Sequence, residues 1–160
     1  MLDFLQGFLP PIVGSFSGVT LGFLVEHWLE KRRRNRLRGE YTRGLKSEIT
    51  QCIDLLKKRL LQLLPDDLWK SLVSSGDLAI FPFDQREDLR QAYFAIGKCN
   101  YEFIRARDLG EKFRAEADTP SKQQQIGSAW KATTDSAYHM TDSTRSFLEG
   151  LANHPWWRDC

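Results

Sequence analysis

The sequence predicts an all-α protein, with one N-terminal transmembrane helix followed by a cytosolic antiparallel helical bundle. Three observations lead to this fold class. Residues 4–25 form 22 consecutive positions without a charged side chain. A basic run, KRRRNRLR, follows from Lys31. From Leu45 onward, apolar residues recur at helical spacing between short turn signals.

The uncharged segment is long enough to cross a bilayer. At about 1.5 Å of rise per residue a helix of this length spans roughly 33 Å, and a hydrocarbon core is about 30 Å thick. A cleaved signal peptide would need positive charge before the apolar stretch, but here only Asp3 and the chain's amine precede it. A buried soluble helix would rarely continue so far uncharged and then meet a basic cluster. We therefore expect residues 1–30 to form a membrane anchor.

The basic run predicts the orientation of that anchor. Cytoplasmic flanks of membrane helices carry the excess of Lys and Arg, so the N-terminus should face outside the inner membrane. Residues 31–44 then form a juxtamembrane segment that contacts anionic headgroups of the bilayer. Nucleic-acid binding is the rival interpretation of such a run, but directly after a span we expect no double-stranded nucleic acid. The expected membrane-flank residues are Lys31, Arg32, Arg33, Arg34, Arg36 and Arg38.

Small residues within the predicted span indicate a homo-oligomer. Gly14, Gly18 and Gly22 are four residues apart and therefore share one helix face. Such a ridge lets two backbones approach closely, which drives helix association in lipid. The alternative is that glycine is simply frequent in membrane helices. A single span encloses no pathway, so any pore requires this oligomer.

Residues 45–160 are predicted to form a cytosolic helical domain. A first apolar stripe runs from Leu45 to Leu64, and Pro65 ends it. The pair Asp66–Asp67 favours the start of a short second helix, which Gly76 closes. The apolar segment 79–83 has no obvious partner strand, so we interpret it as a loop packed on the bundle.

Two longer helices complete the predicted bundle. Asp84 is a candidate N-cap for a helix that reaches Glu116, and the segment 118–121 breaks the chain and caps the next helix. That last helix carries a heptad-like apolar seam from Ile126 to Leu151. Long amphipathic helices joined by short turns are typical of antiparallel bundles. The final pair, Trp156 and Trp157, either packs back on the bundle or contacts a partner.

Composition argues against metal and redox chemistry. Residues 48–160 carry 15 basic and 17 acidic side chains, so the overall charge of +2 comes from the membrane flank. The three cysteines show no metal-binding spacing. Cys52 and Cys99 lie on apolar helical faces, which favours buried thiols in a reducing cytosol. We expect no cofactor.

The strong catalytic motifs are absent, so we expect no enzyme. The sequence contains no H-E-x-x-H, no phosphate-binding G-x-x-x-x-G-K-[ST], no G-x-S-x-G and no C-x-x-C. His139 has Asp135 four residues before it and Asp142 three residues after it, within side-chain reach on one helix. This group is either a metal site or a solvated polar face, and we favour the polar face.

A set of basic and aromatic residues is the best candidate for ligand binding. Cationic groups next to aromatic faces suit phosphates and stacked bases, although acidic neighbours dilute the set and a charged helix face is the alternative. The candidate ligand-binding residues are Tyr101, Arg105, Arg107, Lys112 and Arg114.

The layout resembles the small prokaryotic membrane effectors of anti-phage defence. These include CRISPR-associated proteins that pair N-terminal membrane helices with a cytosolic domain that binds a cyclic oligonucleotide. The resemblance lies in the architecture of span, basic collar and compact domain, and no motif carries it residue by residue. It implies a homo-oligomer whose domain senses a ligand and alters membrane permeability, as an ion channel would.

Two alternatives from other classes remain open at this stage. The chain could be a non-enzymatic membrane anchor or scaffold whose helical bundle recruits a protein partner. It could also be a membrane-bound enzyme, for which His139 and its neighbouring acids are the sole support.

Overall fold

The computed structural model describes the backbone of residues 2–59 and 61–158 and the side chains of residues 21–59 and 61–157. All regular secondary structure in these residues is helical, which confirms the all-α prediction. The helices are α1 (Leu2–Lys57), α2 (Asp67–Ser75), a 3₁₀ helix (Asp77–Ile80), α3 (Phe83–Glu116), α4 (Pro120–Ala152) and α5 (Pro155–Arg158).

The chain divides into two compact units, Met1–Glu40 and Tyr41–Cys160, and α1 contributes to both. In the first unit, the basic side chains from Lys31 to Arg36 are exposed. Some are held along the helix: the Arg36 Nε lies 3.1 Å from the Glu40 carboxylate. The Arg32 guanidinium lies 5.0 Å from the centre of the Trp28 ring. An added Cβ at Gly22 would have no neighbour within 4 Å.

Among the residues whose side chains are described, no helix contains a stretch long and apolar enough to cross a membrane. Most of the predicted span, residues 4–25, lies outside those residues, and so do Gly14 and Gly18 of the predicted oligomer interface. The remainder of that segment is exposed, with Leu21, Phe23 and Leu24 each more than 60% accessible.

The core of the second unit lies between the C-terminal part of α1 and the helices α3 and α4. Each long helix contributes a stripe of apolar residues at helical spacing, as the sequence predicts. The buried residues include Leu45, Ile49, Cys52 and Leu56 from α1, Leu89, Ile96, Cys99 and Phe103 from α3, and Ala137, Leu148 and Leu151 from α4.

The first bundle helix ends earlier than its apolar stripe suggests. We expected it to continue to Leu64, but α1 ends at Lys57, and Arg59 adopts a left-handed backbone with φ of 50°. Asn100 of α3 explains the change. Its Oδ1 accepts from the Leu64 N–H at 2.7 Å, and its Nδ2 donates to the Leu64 carbonyl at 3.0 Å. These two bonds satisfy the backbone outside a helix, while Leu64 still enters the core.

The next segment is more regular than predicted. The segment we interpreted as a loop begins with the 3₁₀ helix, and α3 starts at Phe83, with Pro82 as N-cap in place of Asp84. Gly76 ends α2 in the left-handed conformation, with φ of 77°, which glycine adopts without the Cβ penalty.

Helices α3 and α4 make the most extensive helix–helix contact in the described chain. Small residues allow their close approach. An added Cβ at Gly110 would lie 3.2 Å from the Trp130 indole nitrogen, and one at Gly127 would lie 3.3 Å from the Phe113 ring. The Thr119 Oγ1 accepts from the backbone N–H of Lys122 at 3.4 Å, as the predicted cap of α4 requires.

The C-terminal tryptophans pack back on the bundle. The Trp157 side chain is 1% exposed, and its carbonyl accepts from the Lys46 Nζ at 3.2 Å. The Trp156 Nε1 donates to the Asp88 carboxylate of α3 at 3.0 Å. The end of the described chain is thus tied to α1 and α3.

Candidate binding surface between α3 and α4

One side of α3 carries an exposed row of residues at alternating spacings of four and three. This is the spacing at which one helix presents a seam to another. Aromatic and cationic side chains dominate the row, whereas the buried stripe of the same helix carries no charged side chain. The row consists of Phe94, Lys98, Tyr101, Arg105, Asp108 and Lys112.

The row borders a groove between α3 and α4. The central part of this groove has a volume of about 550 Å³. On the α3 side it is lined by Tyr101, Ile104 and Leu109 together with polar groups, and on the α4 side by Ala129, Ala132 and Thr133. The α4 residues have short side chains and form the bottom of the groove, and the longer α3 side chains form its side.

Neighbouring grooves continue the central one in both directions. A groove of about 510 Å³ shares Tyr101 with it, and a further groove of about 340 Å³ shares Phe94, Lys98 and Met140 with that one. At the other end, another groove of about 340 Å³ shares Leu109 and Lys112. We call these four connected grooves the α3/α4 furrow. Between Gln91 and Lys112 alone it follows α3 for about 30 Å at the helical rise, and its last groove reaches Glu116.

Three of the five candidate ligand-binding residues line the central groove, namely Tyr101, Arg105 and Lys112. The other two lie elsewhere. Arg107 borders a separate groove beside Leu61 and Leu63. Arg114 is nine residues from Arg105, which places it about 180° away around the helix.

The cations of the furrow differ in the carboxylates and aromatic rings that lie near them. No carboxylate lies within 4 Å of the Arg105 guanidinium among the residues that the structure describes. The Lys112 Nζ is 3.9 Å from the Glu116 carboxylate, a weak and exposed pairing. The Lys98 Nζ lies 4.5 Å from the centre of the Phe94 ring.

Acidic groups also line the furrow. The Asp108 carboxylate lies 3.8 Å from the Arg107 Nε, outside the furrow. Glu102 has one carboxylate oxygen that is shielded from solvent and accepts no hydrogen bond from the described residues. That oxygen is an acceptor for which the described residues supply no donor.

The apolar part of the furrow is unusually exposed. The Phe94 and Tyr101 side chains are 64% and 63% exposed, and Phe147 of α4 is 39% exposed. Contiguous apolar surface of this kind on a folded domain marks an interaction site more often than scattered single residues do. The predicted apolar seam of the last helix, from Ile126 to Leu151, includes Phe147, and the sequence assigns Phe94 to no site, whereas both line the furrow. The four-and-three spacing of the α3 row is the sequence signal that would have identified Phe94.

Of the two acidic residues beside His139, Asp142 forms ion pairs with basic side chains. No group of three or more potential metal ligands occurs among the described residues. The Asp142 carboxylate contacts two cations, with the Arg59 guanidinium at 3.1 Å and that of Arg145 at 3.5 Å. These contacts fit the polar face that we favoured from the sequence.

Comparisons with known proteins do not add an assignment, since no protein-family model, curated protein or solved structure matches this chain.

Proposed function

We propose that the chain is a non-enzymatic membrane anchor whose helical bundle recruits a protein partner through the α3/α4 furrow. The observation that carries the proposal is the exposed apolar seam of Phe94, Tyr101 and Ile104 beside the small-residue floor of α4. Grooves between helices are common docking sites for an amphipathic helix, whose apolar side chains insert at regular intervals.

The anchoring half of the proposal rests on the sequence. Residues 4–25 carry no charge and are followed by the basic run from Lys31. This order is typical of a single span with its positive flank in the cytosol. The exposed arginines would then contact anionic headgroups, each contributing about 1 kcal/mol near the surface. The bundle would face the cytosol from the inner membrane.

The dimensions of the furrow favour a macromolecular partner over a small ligand. Pockets for small molecules bury most of their ligand in a single concavity. The furrow instead consists of shallow grooves connected over about 30 Å, a length that about 20 residues of helix would cover.

Site-specific photo-cross-linking in living cells tests the proposal. A photoreactive phenylalanine analogue at Tyr101 should give a discrete protein adduct in the membrane fraction. The same analogue at Gln51, an exposed residue of α1 outside the furrow, serves as the matched control. Phe94→Ser with Ile104→Ser should abolish the adduct while the protein level remains unchanged. Equal adducts from both positions, or none from Tyr101, would contradict recruitment through the furrow.

A second candidate function follows from the grouping of Tyr101, Arg105 and Lys112 in one groove. An aromatic ring between two cations suits a phosphate-bearing base. In this alternative, a homo-oligomer senses a ligand such as a cyclic oligonucleotide and alters membrane permeability in defence.

Paired substitutions distinguish this candidate. Charge-assisted contacts to phosphate contribute roughly 1.5–3 kcal/mol each, so Arg105→Gln with Lys112→Gln should weaken ligand binding by one to several orders of magnitude. Arg107→Gln with Arg114→Gln removes the same charge outside the furrow and is the control. The readouts are melting temperature and liposome leakage across cyclic oligonucleotides of several ring sizes. No response to any ring size would exclude the sensor function.

A further inference from the structure

We infer that the occupant of the α3/α4 furrow is an acidic amphipathic helix of a different protein, which lies along α3. The inference rests on the proposed scaffold function and specifies the chemistry of the partner. Its basis is the order of side chains along the furrow, where a basic row accompanies an aromatic row.

The basic row consists of Lys98, Arg105 and Lys112, which are seven residues apart. Residues at this interval stay on one side of a helix that packs against another helix. The aromatic residues Phe94 and Tyr101 share the same seven-residue interval. A docked helix would therefore meet an apolar strip with a cation at each second turn beside it.

The small number of carboxylates near these cations indicates which charge the partner should carry. Arg105 has no carboxylate within 4 Å among the described residues, and Lys112 has a single exposed one at 3.9 Å. Of the acidic groups along the furrow, Asp108 lies near Arg107 and Glu116 lies near Lys112. A partner with carboxylates at seven-residue intervals would pair with the basic row, whereas a basic partner would place like charges in contact.

The partner's backbone should be helical. Recognition by strand addition needs an open sheet edge, and the described residues contain no strand. The furrow runs parallel to two helices, so a third helix can pack along it with side chains inserted between Tyr101 and the α4 alanines.

A second copy of this chain in parallel orientation fits the row poorly. It would bring Lys98, Arg105 and Lys112 against the same three cations of the other copy. Like charges directly opposed in a helix–helix seam specify against that pairing. A different chain with acidic residues in register avoids this repulsion.

Binding of two designed helical peptides to the full-length protein in detergent tests the inference. Both peptides carry the same apolar stripe, and one has Glu where the other has Lys at the flanking seven-residue positions. Fluorescence anisotropy should show at least about tenfold tighter binding of the Glu peptide, weakening with added salt because exposed charges are screened.

Charge reversal supplies the matched variants. Lys98→Glu, Arg105→Glu and Lys112→Glu together should reverse the preference in favour of the Lys peptide. Lys58→Glu, Arg114→Glu and Lys131→Glu change the net charge equally at exposed positions outside the furrow, and should leave the preference unchanged. An equal reversal in both triple variants would overturn the inference, because the effect would then come from overall charge.

The remaining outcomes separate this inference from the proposed function. If both peptides bind equally and Phe94→Ser abolishes both, the furrow is a docking site without charge selection, so the inference fails and recruitment stands. Binding of neither peptide, or preference for the Lys peptide, also overturns the inference. A Tyr101 photo-adduct with the mass of two copies of this chain would replace the foreign helix by a second copy. A Tyr101 position that yields no adduct would contradict the scaffold function itself.

Discussion

Glu48 shows how a single buried carboxylate joins two helices. The first turn of α2 has no side-chain cap of its own, because Asp66 makes no capping hydrogen bond. Instead, the Glu48 Oε2 of α1 accepts from the Leu68 backbone N–H at 2.9 Å. The side chain is only 9% exposed. A carboxylate at a helix N-terminus also interacts favourably with the positive end of the helix dipole.

We therefore predict that Glu48→Ala lowers the free energy of unfolding by about 1–3 kcal/mol, because a buried donor loses its acceptor. Glu48→Gln should cost less, since the amide oxygen can still accept from Leu68. Chemical denaturation followed by tryptophan fluorescence would measure both. An alanine variant as stable as the parent would contradict the capping role.

The two described cysteines are buried within the core rather than placed for chemistry. Burial raises the pKa of the Cys52 thiol to about 12, and the nearby Glu48 and Asp66 carboxylates add to the rise. Burial also raises the pKa of the Cys99 thiol. Thiolate is the reactive form, so both groups should be inert in the folded protein.

Thiol titration checks this directly. In a Cys160→Ser variant at pH 8, an aromatic disulfide reagent should label no thiol natively and two thiols in denaturant. The raised pKa values also predict a pH dependence. The unfolded Cys52 thiol titrates near its ordinary pKa of 9.0. The contribution of this buried thiol to the free energy of unfolding is therefore fully present below that pH and is lost as the pH rises from about 9 towards 12. Rapid native labelling would show that the core opens around these residues.

At the scale of helices, the contact between α3 and α4 depends on glycines, which have no side chain. Gly110 lies beneath the Trp130 indole, at a distance that leaves no room for a branched side chain. Gly150, near the end of α4, has no neighbour within 4 Å of an added Cβ.

The same substitution at these two glycines should have opposite consequences. Gly110→Val should lower the free energy of unfolding by about 1–3 kcal/mol, because the added methyl groups force the helices apart. Gly150→Val should be neutral or slightly stabilising, since valine is a better helix residue than glycine. Thermal denaturation of both variants gives the comparison. Equal effects would mean that helix propensity, rather than packing, dominates at Gly110.

At the scale of the whole molecule, the first prediction concerns the orientation of the chain in the membrane. The basic residues after the predicted span predict a cytosolic C-terminus. Because Cys52 and Cys99 are buried, Cys160 should be the thiol that reacts natively. An impermeant maleimide should label it only after the membrane is permeabilised, whereas Leu2→Cys in a Cys160→Ser background should be labelled from outside. Efficient labelling of Cys160 in intact cells would reverse the orientation.

Self-association is the second whole-molecule prediction. Gly18→Leu should weaken cross-linking of the protein in membranes, because a large side chain at mid-span separates the two backbones. Ser17→Leu, one position away and therefore on another face, is the control. A parent chain that is already monomeric in membranes would remove the glycine-ridge hypothesis and any pore formed by this chain.

The sequence by itself determined the helical class, the apolar stripes that include Leu45, Ile96 and Leu151, and a cap within residues 118–121. These features follow from local periodicity and local hydrogen bonding, which any stretch of chain carries within itself. The early end of α1 could not be read in this way, because it depends on Asn100, 36 residues from Leu64.

The candidate site also has features that the sequence predicts and features that depend on the tertiary structure. Tyr101, Arg105 and Lys112 could be selected from their spacing and residue types, and they line one groove, whereas Arg107 and Arg114 lie on other sides of α3. Only the tertiary structure decided that the α3 row faces a furrow, since that depends on how closely α4 approaches through Gly110 and Gly127. Helix–helix distance is a property of two packed surfaces, and neither helix encodes it alone.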